Sequence, residues 1–78
     1  MVKKVHKIIW EKRWHKFGKD LEIEVVDIDC MVYEISHPCG RWAVGEHWFL
    51  VCRWFQSKGA KVILDYKNAP NNDLEIKG

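Results

Sequence analysis

His37-Pro38-Cys39-Gly40 places an imidazole and a thiol together just ahead of a segment with helical periodicity. A cysteine at a helix N-terminus beside an imidazolium has a stabilised thiolate, the state a nucleophile or redox thiol needs. A cysteine enzyme also requires a base held by an orienting group, and an oxyanion site. No third member is evident, so the motif reads as a tight loop in which Pro38 ends a strand and Gly40 turns the chain. The order Cys30, His37, Cys39, His47, Cys52 offers metal-ligating residue types. It lacks the Cys-x-x-Cys loop that marks a zinc site. Three cysteines do not suit a disulfide framework and read as reduced thiols in a cytoplasmic protein. Of these, Cys52 is expected to be buried and inert, and Cys39 to be the most accessible.

Asp27 and Asp29 lie two apart, so on a strand they share a face. Two carboxylates can bind a hard cation or shift each other's ionisation, but alone they make no metal site. With Glu22 and Glu24 they form an acidic strand face suited to a basic groove on a partner. Gly40 and Gly45 match neither a Walker nor a dinucleotide-binding pattern. The residue types therefore assign no catalytic group, metal or cofactor, and the chain reads as non-enzymatic.

The third constellation is basic and aromatic. Residues 1–19 carry seven lysines and arginines against Glu11, a local charge of +6, although the whole chain is only +2. Lys7, Lys12, Arg13 and Lys16 interleave with Trp10, Trp14 and Phe17. Cations meet phosphates and exposed rings stack on bases, so segment 3–19 is a possible single-strand nucleic-acid surface.

These groups must be positioned by a small body. Seventy-eight residues support one domain, here 1–67, with 68–78 as a flexible C-terminal tail. At 47% apolar and 31% charged the composition is globular. The longest apolar run, Trp48–Cys52, is far too short for a membrane helix, and the N-terminus lacks a signal-peptide h-region.

Segment 5–16 reads as a strand with Ile8, Trp10 and Trp14 on one face, although helical spacing also fits. Residues 15–20 then form a hairpin loop turning at Gly18. Leu21–Val25 alternates strictly. Val26, Ile28 and Cys30 continue the apolar phase one residue out of step, which predicts a bulge near 25–26. Met31–Ile35 is a third strand after a turn at 27–30. A helix beginning near Gly45 and ending at Ser57-Lys58 with Gly59 beyond it puts Val44, Trp48, Val51, Cys52 and Phe55 on one face. Residues 61–66 form an interior strand, parallel to 31–35 through a right-handed crossover. Leu74–Ile76 suggests a short edge strand that frays.

The predicted fold is α+β: a two-layer sandwich in the order β-β-β-α-β, one long helix on a mainly antiparallel sheet. A second helical stripe, Ala43, His47, Leu50 and Trp54, cannot face the same sheet. It predicts a homodimer or a docking flank built on Leu50, Arg53 and Trp54. The functional expectation is a small interaction module, an inhibitor or adaptor of a larger nucleic-acid-handling protein. The alternative is direct nucleic-acid binding through 3–19.

Overall fold

A computed structural model describes residues 2–68. Four strands, β1 (Lys3–Trp10), β2 (Leu21–Ile28), β3 (Met31–Ile35) and β4 (Lys61–Ile63), form one sheet in the order β3-β2-β1-β4. Every neighbouring pair is antiparallel. One helix, α1 (Trp48–Ser57), lies between β3 and β4 in the chain. The fold is α+β. The tail beyond Asn68 and the expected strand Leu74–Ile76 lie outside the described residues.

Alternation decides which face of the sheet is buried. His6, Ile8 and Trp10 of β1 share a face with Leu21, Ile23, Val25 and Asp27 of β2. Trp48, Val51, Cys52 and Phe55, spaced three and four apart on α1, complete the core with Val32, Ala43 and Ala60. The other face of the sheet carries Lys7, Ile9, Glu22, Glu24, Val26 and Ile28, all wholly or partly exposed.

Four expectations are corrected. The phase of β2 never slips: Asp27, not Val26, enters the core, and Val26 and Ile28 stay half-exposed on the opposite face. The irregularity does fall between Val26 and Asp27, but the extra residue is Tyr33 of β3, since Val26 pairs with Glu34 and Asp27 with Val32. The β2–β3 hairpin turns on Asp29 and Cys30, both at positive φ (53° and 72°), the arrangement of a two-residue turn that matches strand twist.

β1 stops at Trp10. Trp14 belongs to a 3₁₀ turn, Lys12–Trp14, rather than to the strand. α1 is shorter than expected because the chain before it is committed elsewhere. Residues 38–43 form a 3₁₀ turn capped by His37, and Gly45 has φ 91°. The Gly45 N–H then donates to the Val32 carbonyl and the Val32 N–H to the Glu46 carbonyl, so this segment covers the outer edge of β3. His47 caps α1, its Nδ1 accepting from the Phe49 N–H at 3.2 Å.

β4 is an edge strand antiparallel to β1, not an interior strand parallel to β3. The connection from α1 is only Lys58–Ala60, and the Trp10 indole N–H donates to the Lys58 carbonyl at 2.9 Å. The chain therefore emerges beside the end of β1 and pairs with the nearest open edge. Reaching β3 would mean crossing three strands, each about 4.8 Å wide.

Candidate functional site

The 11–20 connection, the 38–43 turn and the C-terminal end of α1 meet at one end of the sheet. Local hydrogen bonds shape the connection. The Asp20 carboxylate accepts from the Lys12 N–H at 2.8 Å, and His15 Nδ1 accepts from the Phe17 N–H at 3.1 Å. The other ring nitrogen of His15 therefore carries its proton and donates to the Trp10 carbonyl at 3.1 Å.

Trp10 is buried at the centre of an aromatic cluster, its ring 5.4 Å from Phe55, 6.2 Å from Trp54 and 6.3 Å from Phe17. Trp42 packs on Trp54 at 5.0 Å and Phe17 on His37 at 5.2 Å. The outer rings stay open: Trp14 is 50% exposed, Phe17 48%, Trp42 45% and Trp54 39%. Trp14 is seated over Gly59, where a Cβ would lie 2.3 Å from the indole.

Exposed cations accompany these rings along the chain. Lys12, Arg13, Lys16, Arg41, Arg53 and Lys58 are exposed. The Arg13 guanidinium stands 5.2 Å from the Trp14 ring centre and the Lys58 ammonium 5.5 Å from that of Trp54. Arg13 also pairs with Glu11 at 3.1 Å. Flat rings with open area among cations can stack bases and neutralise phosphates.

The structure thus joins the 12–17 segment to Trp54, which the sequence placed in a separate helix-flank set with Leu50 and Arg53. It removes Lys7, which lies on the open sheet face, 3.6 Å from Glu22 and 4.7 Å from the Tyr66 ring centre. Leu50, on the helix flank one turn before Trp54, is exposed. Trp42, Arg41 and Lys58 were missed; they arrive from distant parts of the chain, and no local pattern marks them.

The four acids do not form one face. Glu22 and Glu24 share the open side of the sheet and are engaged there. Glu24 accepts from the Tyr66 hydroxyl and pairs with Lys67 at 3.6 Å. The Tyr66 hydrogen bond holds the Glu24 carboxyl below its ordinary range, and the same bond pushes the Tyr66 phenol up. Asp29 sits in the β2–β3 turn and accepts from the Val2 N–H at 2.7 Å. Asp27 is buried on the opposite face, where no partner groove could reach it.

At the far end of the sheet, His6 Nε2 and Asp27 Oδ2 are 2.5 Å apart. His6 Nδ1 accepts from the Asp65 N–H at 2.9 Å, so Nε2 carries the proton and donates to Asp27. The ring also stacks on Trp48 at 4.1 Å, nearly parallel. Both nitrogens are committed, leaving no lone pair to take a proton from a substrate. A cavity of about 90 Å³ adjoins the pair, with Cys30 in its wall. This pair is not among the sites predicted from the sequence. Its signal was a polar residue in the apolar phase of each of two neighbouring strands.

The thiols are also reordered. Cys30 is exposed and Cys39 only partly so. Burial pushes the Cys39 thiol up, opposite to activation, and α1 begins nine residues beyond it. His37 Nδ1 accepts from the Cys39 N–H at 3.1 Å, a capping contact rather than a base aimed at sulfur. Cys52 is buried, as its stripe predicts, and its thiol is likewise raised. Among the described residues no cluster of three metal-ligating side chains occurs, and no helix is long and apolar enough to cross a membrane. No protein-family model, curated protein or solved structure matches the chain.

Proposed function

We propose that this chain is a non-catalytic nucleic-acid-binding domain that holds a single-stranded segment on its aromatic–cationic end. The observation that carries the reading is the gathering of four partly exposed rings, Trp14, Phe17, Trp42 and Trp54, at one end, with Arg13 over Trp14, Lys58 over Trp54, and Lys12, Lys16 and Arg41 exposed near them in the chain. Stacking on such rings contributes about 1–3 kcal/mol per base without demanding a sequence, and the cations supply a salt-dependent phosphate term. This body is read as a two-layer α+β sandwich in the cytoplasm, where three free thiols suit a reducing environment. The route through an acidic face into a partner's basic groove has less support, because Asp27 is in the core and Glu22 and Glu24 already face Lys7, Lys67 and Tyr66.

The test is fluorescence anisotropy of labelled single-stranded DNA and RNA oligonucleotides at low and moderate salt. Binding should weaken steeply with salt, by a log–log slope of about −0.7 for each phosphate contacted. Trp14→Ala should weaken it at every salt concentration, and joint charge reversal at Lys12, Arg13 and Lys16 should abolish it. No binding of either strand type at low salt refutes the proposal.

A further inference from the structure

Asp27 is a buried charge without a counter-charge. It is only 2% exposed, and its two hydrogen-bond donors are neutral: the His6 Nε2–H on one carboxylate oxygen and the Cys30 N–H, at 3.4 Å, on the other. His6 is not an imidazolium, because its Nδ1 accepts from the Asp65 N–H. Among the described residues no lysine or arginine pairs with Asp27. Buried charges in proteins are paired with an opposite charge or hold a metal. The cavity of about 90 Å³ adjoins this carboxylate, and its other walls include the buried ring of Trp48 and the exposed side chains of Phe49 and Leu64.

We infer that this cavity binds a small primary alkylammonium, its nitrogen at Asp27 and its carbons among Trp48, Phe49 and Leu64. The carboxylate has about four acceptor sites, and the two neutral donors leave room for an ammonium. The walls select the class of cation. The Trp48 and Phe49 rings attract an organic cation, whereas they offer none of the oxygen ligands, about six, that a hard metal ion takes. At about 30 Å³ per water, the space holds about three water-sized groups, the size of ethylammonium. Lys4 stands opposite Asp27 in the β1–β2 register and also lines the cavity, yet it is exposed and makes no ion pair among the described residues. Its ammonium competes with the ligand for the one carboxylate. The cavity lies at the other end of the sheet from the aromatic surface, so the inference is independent of nucleic-acid binding.

Titration of the isotope-labelled full chain, followed by two-dimensional NMR, tests it. Ethylammonium chloride is the probe, and sodium chloride at equal ionic strength is the control. Ethylammonium should shift the Trp48 indole and Cys30 amide signals saturably, and sodium should not. Lys4→Met removes the competitor and should tighten binding by up to about fivefold, the range of an exposed charge pair. Phe49→Ser removes a ring from the wall and should weaken binding by about two- to fivefold. Both side chains are exposed, so both variants fold. Asp27→Asn keeps an acceptor for the His6 N–H but removes the charge, and should weaken binding by about tenfold or more. No saturable shift in the wild type, an equal shift with sodium, an affinity unchanged in both Lys4→Met and Phe49→Ser, or a folded Asp27→Asn that binds as the wild type does overturns the inference. If Asp27→Asn does not fold, the two exposed variants decide it.

Discussion

His6 and Asp27 form a buried polar pair at 2.5 Å, held between β1 and β2 and covered by the ring of Trp48. The His6 ring also accepts from the Asp65 N–H, so one side chain ties two strands to the segment that follows β4. Removing His6 leaves the Asp27 carboxylate buried without its partner, which costs about 3–5 kcal/mol, whereas removing Asp27 leaves a neutral imidazole N–H unpaired, which costs about 1–3 kcal/mol. His6→Ala and Asp27→Ala should lower stability by those respective amounts in urea unfolding. Replacing both, as His6→Leu with Asp27→Val, should recover most of the loss. Single variants that lose less than about 1 kcal/mol, the range of an exposed pair, would contradict a buried one.

The contact between Glu24 and Tyr66 makes a separate prediction, in pH. The folded-state value of Glu24 lies below its ordinary 4.5, so its contribution is present above that pH and is lost as pH falls through the lowered value. Tyr66 is raised above its ordinary 10.0, so its contribution is present below that pH and is lost as pH rises through the raised value. Tyr66→Phe should therefore flatten both flanks of the stability–pH curve, measured as Tm against pH. A variant curve parallel to the wild type at both ends would refute the contact.

The thiols should separate by rate under native alkylation, read by mass spectrometry of the peptides. Cys30, exposed in its turn, should react first. Cys39 should follow slowly and Cys52 last, since burial disfavours both thiolates. Labelling of Cys39 ahead of Cys30 would contradict the geometry of the 29–30 turn.

Some of this was legible along the chain and some was not. Leu21, Ile23 and Val25 declare their face by alternation, and Trp48, Val51, Cys52 and Phe55 declare theirs by helical spacing. Asp27 was misread because Val26 and Ile28 are the more apolar residues, yet the strand period is fixed at two and a partner in His6 makes a buried carboxylate tolerable. Val62-Ile63-Leu64 looked interior, but Ile63 and Leu64 are exposed. Strand order is set by where the short connection from α1 emerges, which composition does not encode. The basic–aromatic segment 12–17 was visible because it is contiguous. The contributions of Trp42 and Lys58 to the same end depend on three elements converging there, a tertiary fact.

Gly59 links that tertiary fact to the proposed binding surface. It has φ 91°, a conformation in which a side chain is strained, and it ends α1 while forming the seat of the Trp14 ring. Gly59→Ala adds the backbone penalty of a non-glycine residue at positive φ, about 1 kcal/mol or more. It also adds a methyl group 2.3 Å from the Trp14 indole, so the ring must leave its seat. Stability should fall modestly, while oligonucleotide affinity should fall as far as it does for Trp14→Ala, because both changes remove the same stacking surface. Gly18→Ala is the matched control: Gly18 also has positive φ (82°), but a Cβ there meets nothing within 4 Å. It should share the stability loss and spare the affinity. Equal losses of affinity in the two alanine variants would mean that backbone strain, rather than the position of the Trp14 ring, governs binding.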